Sequence, residues 1–308
     1  MICTASWIAY WKINNELTSA WSAWNKTTSE RKKNNMCKKI IALLLSLLLL
    51  CLTAVAFASE AVLTLRDVTP EGNYKIKLTR KIMLAPPNEL ATRNYHVQQG
   101  ATTDGEFAYM IMENQVDHLC SIWKVNMQDW TVADTVYGLD LSHGNCMGYN
   151  PARKQLVVVH NKPRYNTLSF VDTDTLQIAE TVQLNQDMYA IGYCESRDQY
   201  VVGISGTFNF MILDGQLNKV AYYYGKDTGL VKQGVDCDDK YIYFPQNNKD
   251  CTVNQIVIYD WDGNYINTVR VGSFQEIEDV FHVGDDLYIA FNASGSYVYQ
   301  GRLEEIKQ

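Results

Sequence analysis

The chain has 308 residues, of which 47% are hydrophobic and 20% charged, with 6 Pro, 18 Gly and a formal net charge of −7. That balance excludes disordered, collagen-like and small disulfide-framework proteins, and the length suffices for a large core in one domain or two. Twenty Tyr and seven Trp tilt the composition toward strands.

In chain order, residues 1–35 carry Trp7, Trp11, Trp21 and Trp24 without helical or strand period. The run Glu30-Arg31-Lys32-Lys33-Asn34-Asn35 uses residues with purine-rich codons, as a translated ribosome-binding site would. Met36 is therefore expected to be the true start, and residues 1–35 a mis-assigned extension. From there Met36-Cys37-Lys38-Lys39, the apolar run Ile40 to Val55, and Ala56-Phe57-Ala58 before Ser59 have the three parts of a secretory signal peptide over residues 36–58. The alternative is a retained anchor, because the run approaches the ~20 residues of a spanning helix. Cleavage makes the protein secreted or held in the cell envelope, touching membrane only through the signal. It also removes Lys12, Lys26, Arg31, Lys32, Lys33, Lys38, Lys39, Glu16 and Glu30, leaving 20 basic against 32 acidic residues, a net charge of −12. Such a chain repels phosphate backbones, so nucleic acid is not an expected partner.

Residues 59–308 repeat. Gln99, His143, Tyr189, Gln233 and Glu278 occupy equivalent positions at spacings of 44, 46, 44 and 45. Each unit reads as a strand, a tight turn and a second strand rich in Tyr, Val and Ile; the turns are Asp104-Gly105, Asn150-Pro151, Arg197-Asp198, Asp238-Asp239 and Gly284-Asp285. A second hairpin follows, as in Ser169-Phe170-Val171-Asp172 into Ile178 to Val182, or Val257 to Asp260 turning at Asp262-Gly263 into Tyr265 to Val269. Four strands per repeat of about 45 residues is the mark of a propeller blade. The fifth unit has one good strand after Leu287-Tyr288-Ile289, namely Tyr297-Val298-Tyr299, and Tyr74 to Leu84 resembles the last strand of a blade. The expected fold is all-β: a β-propeller of five four-stranded blades closed by that N-terminal strand, with six blades as the alternative because Ala61 to Val68 is unplaced.

The segment Leu168 to Val182 and the hairpin Tyr149-Asn150-Pro151 to Leu156-Val157-Val158-Val159 resemble the YVTN-type repeats of bacterial secreted and surface β-propellers. The resemblance covers about residues 70–304 at blade level and implies the fold. Such propellers range from binding platforms to enzymes, so it carries no catalytic residue onto this chain.

In a propeller, the first strand of each blade starts on the same face as the loop joining its second and third strands. That face is expected to carry Gln99, His143, Tyr189, Gln233 and Glu278 around the channel, with Glu113, Asn114, His160, Asn161, Ser205, Asn247 and Asn292 outside them. Gln99, His143, His160, Asn161, Gln233, Asn247 and Asn292 are candidate ligand contacts, and Arg164 with Tyr165 offers a carboxylate clamp beside a stacking ring. Turn chemistry for the asparagines and relief of crowding by Gly100, Gly144 and Gly234 explain the same pattern without a ligand. Asp236, Glu278 and Asp279, with Glu276, are the weak catalytic candidates, since glycoside hydrolysis needs two carboxyls ~5–9.5 Å apart. No G-x-S-x-G elbow is present.

Cys120, Cys146, Cys194, Cys237 and Cys251 include no C-x-x-C pair, and His118, His143 and His160 read as hydrogen-bonding loop residues, so no metal or cofactor is expected. Asp172-Thr173-Asp174 and Asp260-Trp261-Asp262-Gly263 have the look of calcium loops, but Asp is also expected at hairpin turns. These readings define a module that binds a peptide, a glycan or a surface protein at the channel mouth. The alternative is a propeller glycoside hydrolase or peptide-terminus-modifying enzyme.

Overall fold

The period-two alternation of the repeats is realised as strands in the computed structural model, which describes residues 16, 18–19, 74–83, 94–292 and 296–306. The expected signal at 36–58 and the unplaced segment 61–68 lie outside the described residues, as does nearly all of 1–35. Glu16, Thr18 and Ser19 are helical and exposed, although the sequence around them shows no helical period. The chain divides into Met1–Glu60 and Ala61–Gln308, and every described strand belongs to the second unit.

Five antiparallel sheets form the blades. Blade one is β2 (Tyr95–Thr103), β3 (Phe107–Asn114), β4 (Leu119–Asn126) and β5 (Val132–Leu139). Blade two is β6 (Cys146–Asn150), β7 (Gln155–Val159), β8 (Thr167–Asp172) and β9 (Ile178–Gln183). Blade three is β10 (Met188–Cys194), β11 (Gln199–Ile204), β12 (Phe210–Asp214) and β13 (Lys219–Tyr223). In blade four the inner strand is broken into β14 (Val231–Lys232) and β15 (Asp236–Cys237), both pairing with β16 (Tyr241–Asn247), and β17 (Asn254–Asp260) and β18 (Tyr265–Val271) complete it. Blade five is β19 (Glu276–Val283), β20 (Asp286–Asn292), β21 (Tyr297–Glu305) and, from the other end of the domain, β1 (Tyr74–Met83).

β1 runs antiparallel to β21 from Tyr74↔Glu305 to Met83↔Tyr297. It thus supplies the fourth strand expected from the sequence and covers an edge that would invite pairing with another chain. Five blades, not six, make up the ring.

The inner strands β2, β6, β10, β15 and β19 pack on one another around the axis. Their crowding is visible at three glycines. A Cβ on Gly100 would meet the Cys146 and Met147 backbone at 2.8 Å, one on Gly148 the Tyr193 nitrogen at 3.0 Å, and one on Gly192 the Val235 carbonyl at 3.0 Å. At Gly234 the added atom would overlap the Asp279 carboxylate. Crowding therefore accounts for Gly100 and Gly234, while Gly144 is also a turn residue at φ +59°.

The five equivalent polar positions mark where the inner strands leave their ladders. Register shifts fall between Gln98 and Ala101, between Met188 and Ala190 and between Ile277 and Asp279, so Gln99-Gly100, Tyr189 and Glu278 sit in bulges. Gln233 lies in the break between β14 and β15, and His143-Gly144 just precedes β6. A bulge re-aims a side chain, and Tyr189 is thereby placed in the apolar core, its ring against Gly203. Between blades the core is apolar: Phe210 of blade three packs on Phe244 and Tyr259 of blade four at 5.2 and 5.1 Å.

Candidate functional site

The channel has two ends. We call upper the face where inner strands begin and the loops joining second to third strands rise, and lower the face of the hairpins joining first to second strands.

On the upper face, between blades four and five, the structure brings Gln233, Asn247, Asn292 and Glu278 together around Glu276. Gln233 Nε2 donates to Asn247 Oδ1 at 2.7 Å and to Glu276 Oε1 at 3.1 Å, and Asn292 Nδ2 donates to Glu276 Oε2 at 3.1 Å. Burial, then the adjacent Glu276, push Glu278 well above the usual carboxylate range, as crowding of like charges requires.

Blades one and two hold a second upper network. His143 Nδ1 lies 2.8 Å from Glu113 Oε2 and His118 Nδ1 3.0 Å from Glu113 Oε1. Burial works to raise Glu113, but the hydrogen bonds from His143 and His118 bring it below its ordinary value. His160 is fully buried, with Nε2 2.8 Å from Ser169 Oγ; burial, then the Arg164 charge, lower its pKa to about 4, so it is a neutral imidazole at physiological pH. Asn161 Nδ2 donates to Asn145 Oδ1 at 2.7 Å, and Gln99 Nε2 to its neighbour's carbonyl at 2.9 Å. Arg164 clamps the Asp140 carboxylate and donates to Ser142 Oγ at 2.7 Å. Its expected carboxylate partner is thus supplied from within the chain. Tyr165 is the exposed member of the set, and its carbonyl accepts the Met188 N–H at 2.7 Å.

The three catalytic candidates are held by different partners. Asp236 lies near the lower end, its Oδ2 2.5 Å from His282 Nδ1. Glu278 sits four residues before His282 along β19, toward the upper end. Asp279 is enclosed: its Oδ2 accepts the Ala101 N–H and its Oδ1 the Val280 N–H, each at 3.0 Å. It ties blade five to blade one across the closure of the ring.

The lower end opens into a cavity of about 660 Å³ to which the inner hairpins of all five blades contribute. Asp104, Glu195, Asp236, Asp238 and Asp239 line it, and among the described residues no lysine or arginine does and His282 is the one basic side chain in its wall. Two of these carboxylates also build the hairpins. Asp104 caps the Glu106 and Phe107 N–H groups and accepts the Tyr109 hydroxyl at 2.7 Å; Asp238 repeats this with Lys240, Tyr241 and the Tyr243 hydroxyl, again at 2.7 Å. Glu195 and Asp239 are exposed. In the sequence Asp104, Asp238 and Asp239 read as turn residues and Asp236 as a catalytic candidate, while Glu195 gave no signal; ring closure gathers them around one opening. His282 gave no signal at all. The turn aspartates Asp172 and Asp260, which resembled calcium ligands, cap the N–H groups of Asp174 and Thr175 and of Asp262 and Asn264.

The fold and its axial channel define a five-bladed β-propeller. Among solved structures the chain is similar to the glutaminyl cyclase of Myxococcus xanthus, at 10% identity over 76% of this chain and 98% of that one, with a TM-score of 0.57. It is also similar to a member of the DUF4221 family from Bacteroides vulgatus, at 9% identity over 76% and 99%, with a TM-score of 0.50. These likenesses are of fold. No protein-family model and no curated protein sequence matches the chain.

Proposed function

We propose that the chain is an exported binding module that takes a cationic group of a peptide, a terminal amine or a lysine or arginine side chain, into the lower-face funnel. The carrying observation is the cavity of about 660 Å³ lined by five carboxylate-bearing residues and, among the described residues, by no lysine or arginine. A concave site with one sign of charge concentrates the opposite charge. The signal-like pattern from Met36 to Ser59 and the YVTN-like repeat at Leu168 to Val182 support an exported bacterial protein, and a mature charge of −12 adds to the attraction for cations.

Titration with matched peptides ending in lysine or glutamate tests this at low and moderate salt. The basic peptide should bind more tightly, lose affinity with salt, and lose on the order of 1 kcal/mol on Asp236→Asn or Glu195→Gln. Equal binding of both peptides refutes the reading. Loss on Arg164→Ala with Tyr165→Ala but not on the funnel changes would instead assign the ligand to the upper-face residues Gln99, His143, His160, Asn161, Arg164, Tyr165, Gln233, Asn247 and Asn292.

A second reading, an enzyme acting on glycans or peptide termini, is favoured by the buried upper-face Glu278, whose carboxyl burial and the neighbouring Glu276 push well up. A propeller of this fold in Myxococcus xanthus is a glutaminyl cyclase. Turnover of a glycan and peptide panel that disappears in Glu278→Gln would support it, and no turnover by the unaltered chain would refute it.

A further inference from the structure

We propose that Cys194 and Cys237 form a reactive dithiol in the wall of the lower-face funnel that exchanges with small disulfides and closes into an intramolecular disulfide. Cys194 ends β10 and Cys237 ends β15, inner strands of neighbouring blades that pack side by side, and both residues line the cavity. Both are free cysteines. Cys194 Sγ lies against the backbone that follows Cys237, 3.4 Å from the Asp238 carbonyl, and 3.3 Å from Ser196 Oγ.

The surroundings divide the labour between the sulfurs. Its bond to Cys237 lowers Cys194 to about 6 against the effect of burial, assisted by Ser196, the Arg197 N–H and the Arg197 charge. Cys194 beside it, then burial, pushes Cys237 well up. A thiolate at neutral pH that can be reached from a cavity is the attacking species in exchange. The other cysteines of the propeller lack this setting: Cys120 and Cys146 are fully buried with thiols pushed up by burial, and burial also raises Cys251.

The step balances with a small disulfide, RSSR, as oxidant. Cys194 thiolate attacks one sulfur, the S–S bond breaks, and the departing thiolate takes up a proton. Cys237 then attacks the Cys194 sulfur of the mixed disulfide, its proton leaving with the second RSH. Two protein thiols and one RSSR become one protein disulfide and two RSH; the protein loses two electrons and RSSR gains them. The carboxylates around the mouth would favour cationic over anionic disulfides, a preference that rests on the acidic-funnel reading above, whereas reaction with a neutral disulfide does not.

The test incubates the reduced full chain near pH 7 with hydroxyethyl disulfide, cystamine or glutathione disulfide, and maps the products by peptide mass. The expected product is a Cys194–Cys237 crosslink reversed by dithiothreitol. In Cys237→Ser, a mixed disulfide should accumulate on Cys194. Alkylation of Cys194 in that variant and in the unaltered chain should rise with pH, and removal of Cys237 should move the midpoint upward. Cystamine should react about tenfold faster than glutathione disulfide at low salt, the gap closing with added salt. Modification confined to Cys251 or to Cys3, Cys37 and Cys51 in the folded chain, or of Cys194 without crosslinking in the unaltered chain, overturns the proposal. A crosslink formed at equal rates with all three disulfides sustains the dithiol and overturns the cationic funnel.

Discussion

Replacing the channel-facing glycines by alanine tests how tightly the inner strands converge, because each substitution adds one atom at a site of known clearance. At Gly100 the new Cβ lies 2.8 Å from three backbone atoms, the Cys146 Cα and carbonyl carbon and the Met147 nitrogen. Those atoms belong to β6, whose ladder with β7 pairs Cys146 with Val159 and Met147 with Val158, so the clash is relieved only by displacing blade two. Gly148 offers 3.0 Å to the Tyr193 nitrogen and 3.2 Å to Gly192. Gly192 is tight only to the Val235 carbonyl at 3.0 Å, with its next neighbours at 3.4 and 3.5 Å. Overpacking costs ~1–3 kcal/mol, and the lower entropy of an unfolded alanine chain returns ~0.4–1 kcal/mol. The net destabilisation expected is ~2–2.6 kcal/mol for Gly100→Ala, ~1 for Gly148→Ala and close to zero for Gly192→Ala. Each kcal/mol lowers Tm by ~2–4 °C in a domain of this size, so Gly100→Ala should melt roughly 4–10 °C below the parent. Urea unfolding followed by tryptophan fluorescence gives the same ranking independently. Equal costs at the three positions, or the largest at Gly192, would refute the packing argument.

Glu278 predicts a pH dependence. Its folded pKa is raised, so the native state keeps a proton that the unfolded chain has released above ~4.5, and stability falls as pH rises from there through the folded value. Glu278→Gln keeps the shape without the charge, so its stability relative to the parent should climb by up to about 1.4 kcal/mol per pH unit over that window; parallel curves from urea titrations at about pH 5 and 8 would count against a protonated Glu278. Deleting residues 74–83 strips β21 of its partner. The truncated chain should lose several kcal/mol and form oligomers through the bared edge, and a monomeric, equally stable product in light scattering and thermal melts would contradict closure by β1.

Much of the architecture was legible from residue chemistry. Turn pairs such as Asp104-Gly105 and Asp238-Asp239 and the β-branched runs between them depend on local backbone preference, so the sequence determined the strands, their pairing into blades and even the distant β1. It also marked Gln99, His143, Tyr189, Gln233 and Glu278 as special. What it left open was the cause, since a bulge, a tight glycine neighbour and a ligand contact write the same polar signal.

Tertiary structure decided the partners. His160 and Arg164 read as open loop residues, yet one is enclosed against Ser169 and the other is taken by Asp140, because neither burial nor a partner outside the local segment is encoded by residue type alone. Asp236 and Glu278 read as neighbours from adjacent repeats, but they lie toward opposite ends of the channel. Conversely, the turn residues Asp104 and Asp239 and the unmarked Glu195 and His282 share one cavity, as do Cys194 and Cys237. They come from the inner hairpins of four blades: one, three, four and five. Local chemistry sets a hairpin within a repeat, whereas closing the ring brings residues some 45 positions apart to one mouth, and it is that closure which makes their charges and thiols add.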